Sequence, residues 1–109
     1  MKTYEYQGEG FCPVLESGEF RCCIINSTPR LEKLGRIEYH TSSDEIFMLI
    51  SGSATLYIGE ECVKHKLIKG KLYSVPPFEW HGITLEKNSS VLIVENRDTG
   101  DENTVRREI

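Results

Sequence analysis

No apolar run in this sequence approaches the roughly 18 to 20 residues of a membrane-spanning helix. Nor does the amino-terminal stretch Met1-Lys2-Thr3-Tyr4-Glu5-Tyr6 contain the apolar segment of a secretory signal. A cytoplasmic, soluble chain is therefore expected. Basic clusters are missing too. Lysine plus arginine number 13 against 17 aspartates plus glutamates, a net charge of −4. That balance argues against nucleic acid or an anionic membrane as partner. The four cysteines, Cys12, Cys22, Cys23 and Cys62, form no CxxC pair, which removes zinc-knuckle and thioredoxin-type chemistry. Cys22 and Cys23 lie in an apolar run with Ile24 and Ile25 and read as small buried hydrophobes. A sustained helical period is also lacking; Leu31 to Leu34 has room for one turn of helix.

What is present is a series of short strand signals. Phe20–Asn26, Arg36–His40, Ile46–Ile50, Ser53–Ile58, Val63–Ile68, Leu72–Val75, Gly82–Leu85 and Val91–Glu95 each read as a strand. Turn formers separate them, among them Ser27-Thr28-Pro29, Ser51-Gly52, Lys69-Gly70 and Pro76-Pro77. Even spacing of this kind predicts an all-β sandwich or barrel. At 109 residues the chain is expected to form one domain. Its barrel core is placed at about residues 20–96. Residues 1–19, with Tyr4, Tyr6, Phe11, Val14 and Leu15 in loose alternation, are suited to adding edge strands. The polar segment 97–109, including Arg106-Arg107, is expected to run solvated over the surface.

One stretch concentrates chemistry. In a strand over Gly35–His40, residues two apart share a face, so Arg36, Glu38 and His40 point the same way. The polar turn Thr41–Ser43 then leads into Asp44-Glu45 and returns Glu45 beside His40. An imidazole with one or two carboxylates favours a divalent transition metal once a second imidazole joins. His81, after the Pro76-Pro77 turn, is the nominee; His65, between Lys64 and Lys66, reads as an exposed strand residue. Either histidine alone would be an ordinary hydrogen-bonded core or rim residue.

The arrangement resembles the cupin superfamily. Its first motif runs His, any residue, His, three or four residues, Glu, six residues, Gly. Here His40, four residues, Glu45, six residues and Gly52 follow it, with Glu38 at the first His position. Its second motif runs Gly, five residues, Pro, one residue, Gly, two residues, His, three residues, Asn. Gly70, Pro76 and His81 keep that spacing, while Phe78 replaces the second Gly and Leu85 the Asn. The resemblance implies a double-stranded β-helix, the jelly-roll or cupin barrel, with its site inside the mouth. It further implies pairing into a homodimer.

With this resemblance, His40, Glu45 and His81 are the expected ligands of a divalent transition metal (iron, manganese, zinc or nickel). Glu38 is a fourth ligand, a catalytic base, or the ion-pair partner of Arg36. Arg36, Phe47 and Tyr73 are the candidate substrate-binding residues, with Phe47 and Trp80 also suited to plain packing. Two imidazoles and two carboxylates around a divalent ion carry little net charge, which lowers the cost of burying it. The expected function is action on a small polar metabolite: a keto acid, a sugar or a sugar derivative. Isomerisation and dioxygenation both remain open. Two rival readings are a non-catalytic ligand- or metal-sensing module, and a metal-free pocket like that of sugar epimerases.

Overall fold

The computed structural model describes all 109 residues. Ten strands make the architecture: β1 (Gly10–Ser17), β2 (Phe20–Asn26), β3 (Arg36–His40), β4 (Glu45–Ser51), β5 (Ala54–Ile58), β6 (Val63–Lys66), β7 (Tyr73–Val75), β8 (His81–Leu85), β9 (Ser90–Asn96) and β10 (Thr104–Glu108). The only helical pieces are short 3₁₀ turns at Pro29–Glu32 and Asp101–Asn103. No helix is long and apolar enough to cross a membrane. The strands pair antiparallel into two five-stranded sheets, ordered β1-β2-β9-β4-β7 and β10-β3-β8-β5-β6. This is the all-β architecture that the strand spacing predicts, in the two-sheet double-stranded β-helix form that the cupin resemblance implies.

Strict alternation explains why the sheets face each other. In β4 Glu45, Phe47 and Leu49 are buried while Ile46, Met48 and Ile50 are only partly covered. In β9 the buried set is Val91, Ile93 and Glu95. The two strands pair with Phe47 opposite Ile93 and Leu49 opposite Val91, so same-face neighbours stack directly. Leu56 from β5 and Leu85 from β8 close this apolar floor from the second sheet. Beyond the floor β4, β9 and β8 turn polar, at Glu45, Glu95 and His81. The interior therefore has a packed hydrophobic end and a polar end.

The flanking segments differ from the sequence-based expectation in one respect. β1 pairs with β2 as an amino-terminal edge strand, with a register shift between Pro13 and Leu15; Pro tolerates an edge because it has no N–H to pair. Residues 104–108, however, do not wander over the surface. β10 pairs with β3 from Thr104↔His40 through Arg106↔Glu38 to Glu108↔Arg36. Its inward row is Thr104, Arg106 and Glu108, all of which line the cavity. Outside β3, Tyr39 stacks edge-on against Trp80 with ring centroids 4.7 Å apart, and Arg107 lies 4.9 Å over the Trp80 ring. Trp80 thus packs on the outer face of the barrel.

Gly52 and Phe78 show what the two motif positions require of the backbone. Gly52 has φ +80°, and an added Cβ would come within 2.7 Å of Ser89 Cα. Phe78 stands at φ 68°, the left-handed region that favours glycine. Its N–H donates to His40 C=O at 2.9 Å, and its exposed ring packs 5.7 Å from Tyr39. Phe78 is not part of the cavity lining, so it does not narrow the mouth. Gly52→Ala is expected to destabilise the fold by about 2 kcal/mol, from strained φ plus the clash with Ser89. Denaturant unfolding measures this; an unchanged midpoint would contradict the packing described.

Candidate metal centre

The site assembles because strands from both sheets end their inward rows at one level. β3 presents Glu38 and His40, β8 presents His81, and β4 presents Glu45 from the opposite sheet. Glu38 and His81 are direct partners across β3 and β8. Gly82, next in β8, lets the strands approach: a Cβ there would stand 2.9 Å from Arg36 C=O. Glu45 Oε1 accepts from His81 Nε2 at 2.7 Å and from His40 Nε2 at 3.1 Å. Glu38 Oε2 is 3.4 Å from His40 Nε2. His40, Glu45 and His81 are buried, whereas the Glu38 side chain is 22 % exposed.

The outer nitrogens of both rings are held. His81 Nδ1–H donates to Glu79 C=O at 3.1 Å. A carbonyl can only accept, so this bond aims Nε2 into the cavity. His40 Nδ1 lies 2.8 Å from Thr104 Oγ1. Metal-bound imidazoles are commonly anchored in this way through their second nitrogen. Without an ion, His81 faces acceptors on both sides. Burial opposes its charge, but Glu45 overcomes burial and raises the His81 pKa above its ordinary value. For Glu45 burial acts to raise the pKa, yet hydrogen bonds from His40 and His81 win and hold it below the usual carboxylate range.

The donor set fits a divalent transition metal. Ligand atoms about 2.0–2.2 Å from one ion stand about 3.0 Å apart at octahedral neighbours and about 3.4 Å apart at tetrahedral ones. The observed separations of 2.7, 3.1 and 3.4 Å bracket those values. Glu38, His40 and His81 offer ligand atoms within 4.8 Å of one another. Nitrogen and carboxylate donors together suit first-row metals.

Glu95 is the participant the sequence reading did not single out. Its carboxyl joins His40 and Glu45 in a second cluster of donors within 4.8 Å. Arg21, opposite it in the β2–β9 register, donates from Nε to Glu95 Oε2 at 2.8 Å and from Nη2 to Thr99 C=O at 3.1 Å. Burial and the neighbouring Glu45 push the Glu95 pKa up to about 7, against the pull of Arg21. Burial, then Glu95, pushes the Cys23 thiol up to about 12, which leaves it an unreactive core residue.

The expected substrate-binding residues divide. Arg36 lines the cavity, half exposed, with Nε 3.9 Å from Glu38 Oε1. Phe47 forms the cavity floor, buried, with its ring edge-on to His81 at 5.9 Å. Tyr73 does not reach the cavity, which corrects its assignment as a substrate contact. It lies in the short edge strand β7, where its hydroxyl accepts from Ile68 N–H at 3.0 Å and Lys71 covers its ring. The nearer cation to Glu38 is Arg106, whose Nε stands 3.3 Å from Oε1, so the Arg36–Glu38 closure expected of a metal-free pocket is not the dominant pairing. His65 sits exposed in β6, away from the centre.

A family model for the cupin domain matches residues 32–95, which span β3 to β9 and hold all four candidate ligands. The chain belongs to the cupin-domain family. No curated protein matches this cupin in sequence. Among solved structures, KdgF from Halomonas sp. is similar, with a TM-score of 0.67 at 17% identity over 93% of this chain and 91% of that one. A cupin-2 domain containing protein from Shewanella frigidimarina aligns with a TM-score of 0.65 at 17% identity, covering 85% of each chain. Oxalate decarboxylase from Bacillus subtilis aligns with a TM-score of 0.60 at 22% identity, over 80% of this cupin but 23% of its own length. At these identities the likeness establishes the fold.

The proton inventory gives the metal-free protein a definite pH response. A raised His81 pKa stabilises the fold below its ordinary 6.5 and loses that contribution as pH rises through the raised value. Glu95, raised from 4.5 to about 7, acts in the same direction because the folded state holds its proton longer. Glu45, lowered from 4.5, contributes above that pH and loses its contribution only in stronger acid. Stability in chelator should therefore fall as pH rises from about 4.5 to about 7 through Glu95, and further above 6.5 through His81. A divalent ion replaces the His81 Nε2 proton, so the metal-induced gain in Tm should grow over the same interval. Thermal melts with chelator and with manganese(II) measure both; a metal-free Tm independent of pH would contradict this proton arrangement.

Proposed function

We propose that this cupin holds a divalent transition metal on His40, His81 and Glu45 and acts on a small polar metabolite that enters the barrel mouth. The observation that carries the reading is the meeting of two imidazole Nε2 atoms and one carboxylate oxygen, within 2.7 and 3.1 Å, at the inner end of a cavity of about 510 Å³. A bound divalent ion would polarise a carbonyl or acidify a coordinated water. The protein's own groups supply the rest. Phe47 and the apolar floor exclude water from below, and the anchors at Glu79 C=O and Thr104 keep the imidazoles aimed.

Glu38 is the group suited to moving a proton. It is the most exposed of the four candidate donors, and its Oε2 faces the same space as His40 Nε2. A carboxylate placed so can take a proton from a carbon next to a polarised carbonyl at Oε2 and return it elsewhere, which is isomerase chemistry. Arg106 Nε stands 3.3 Å from the other oxygen, Oε1, which is buried and makes no hydrogen bond. This favours isomerisation over dioxygenation. Solved cupins of the same fold include one named for a small organic acid, oxalate.

Elemental analysis of the purified protein tests the centre. The wild type should carry about one divalent ion per chain after metal loading. His40→Ala combined with His81→Ala should lower that content by tenfold or more, while Glu38→Gln should retain the ion and lose turnover by about 10²-fold or more. Undiminished metal in the double variant would overturn the ligand assignment. Full turnover in Glu38→Gln would remove its proton-transfer role.

A further inference from the structure

A group of cations lines the cavity, and two of them, Arg30 and Lys33, have no partner in the chemistry above. Arg30 lies in the 3₁₀ turn Pro29–Glu32, and Lys33 follows it. Arg36 opens β3, and Arg106 sits in the middle of β10. All four line the cavity. Arg106 is engaged by Glu38 and Asp101, and Arg36 stands 3.9 Å from Glu38. Arg30 and Lys33 make no ion pair.

The balance of charge around the cavity is uneven. Its acids are Glu38, Glu45, Glu95 and Glu108. Arg21 is committed to Glu95. A divalent ion would offset Glu38 and Glu45. With Arg106 paired to Asp101, Glu108 is set against Arg30, Lys33 and Arg36, so the cavity lining is cationic although the chain as a whole carries −4. A cationic cleft with low-dielectric walls draws anions in and concentrates them. Guanidinium groups further offer the planar fork that matches a carboxylate.

Strand geometry gives the spacing. Arg36, Glu38 and His40 share the inward face of β3, and a strand rises about 3.3 Å per residue. The Arg36 backbone is thus about 7 Å along β3 from Glu38 and about 13 Å from His40. A flexible arginine lining the cavity at that distance would meet a group a few bonds from the ion.

We propose that the metabolite is a small dianion whose chelating end lies at the His40–His81–Glu45 centre and whose second carboxylate is held by Arg30 and Arg36. This rests on the metal reading above for its inner end. The outer end rests on the rim cations alone. The recognised class is then a keto diacid or an acid of similar length, in preference to a neutral sugar or a monoacid.

Isothermal titration of the manganese(II)-loaded protein with pyruvate, 2-oxoglutarate and 2-oxoadipate tests this, at low and at raised salt. At least one diacid should bind about tenfold or more tighter than pyruvate, and the difference should shrink with salt. In Arg30→Gln/Arg36→Gln the diacids should fall to within about twofold of pyruvate, with manganese content unchanged. Equal binding of pyruvate and both diacids by the wild type, or a diacid preference retained in the double variant, would overturn the proposal. Manganese content reports separately on the centre. A protein that takes up no manganese sinks the metal reading, and the ratio of diacid to pyruvate affinity on that same protein still decides the role of the rim.

Discussion

Glu45 Oε1 is a buried carboxylate oxygen that accepts from two imidazoles, and both imidazoles come from the sheet opposite its own. Burying a carboxylate is costly unless it is paired and hydrogen-bonded. The two sheets must therefore stay at the separation that keeps His40 and His81 within reach. Losing one partner would leave an uncompensated buried charge, a penalty of about 3–5 kcal/mol. The contact acts as a strut between the sheets, and the same atoms have the spacing of a metal's ligands. A divalent ion would take over the role that protons play in its absence, balancing Glu45 while freeing the Nε2 positions.

The rest of the interior is arranged around that level. Below it, Phe47, Leu49, Val91 and Ile93 form a floor by direct cross-strand pairing. Beside it, Arg21 and Glu95 make a second buried pair from β2 and β9. Alongside β3, β10 adds Thr104, Arg106 and Glu108 in register with His40, Glu38 and Arg36. Each inward row thus runs from apolar packing or from the barrel edge into polar chemistry. A single alternation of strand geometry serves both stability and binding.

Much of this was legible in the sequence, because alternation and turn residues mark strands whose inward face is apolar. The strands around Phe47 and Ile93 announce themselves in that way. The spacing of His40, Glu45 and His81 brought three groups to one level, and the cupin motifs carried the same register. β10 escaped notice for a physical reason: its inward residues face a polar cavity, so Thr104, Arg106 and Glu108 show no hydrophobic period. Glu95 left a fainter signal, since it continues the inward phase of Val91 and Ile93, and Arg21 continues that of Cys23 and Ile25. An acid and a base each in phase with a buried strand face are candidates for pairing. Tyr73 could not be placed without knowing that β7 is an edge strand whose Tyr73 hydroxyl is taken by Ile68 N–H.

The measurement that bears most directly on the central claim is anomalous diffraction at the manganese edge from crystals grown with manganese(II) and without chelator. The account predicts one peak bonded to His40 Nε2, His81 Nε2 and Glu45 Oε1 at about 2.0–2.2 Å. Density that leaves both imidazoles hydrogen-bonded to Glu45, with the anomalous peak elsewhere or missing, would contradict it.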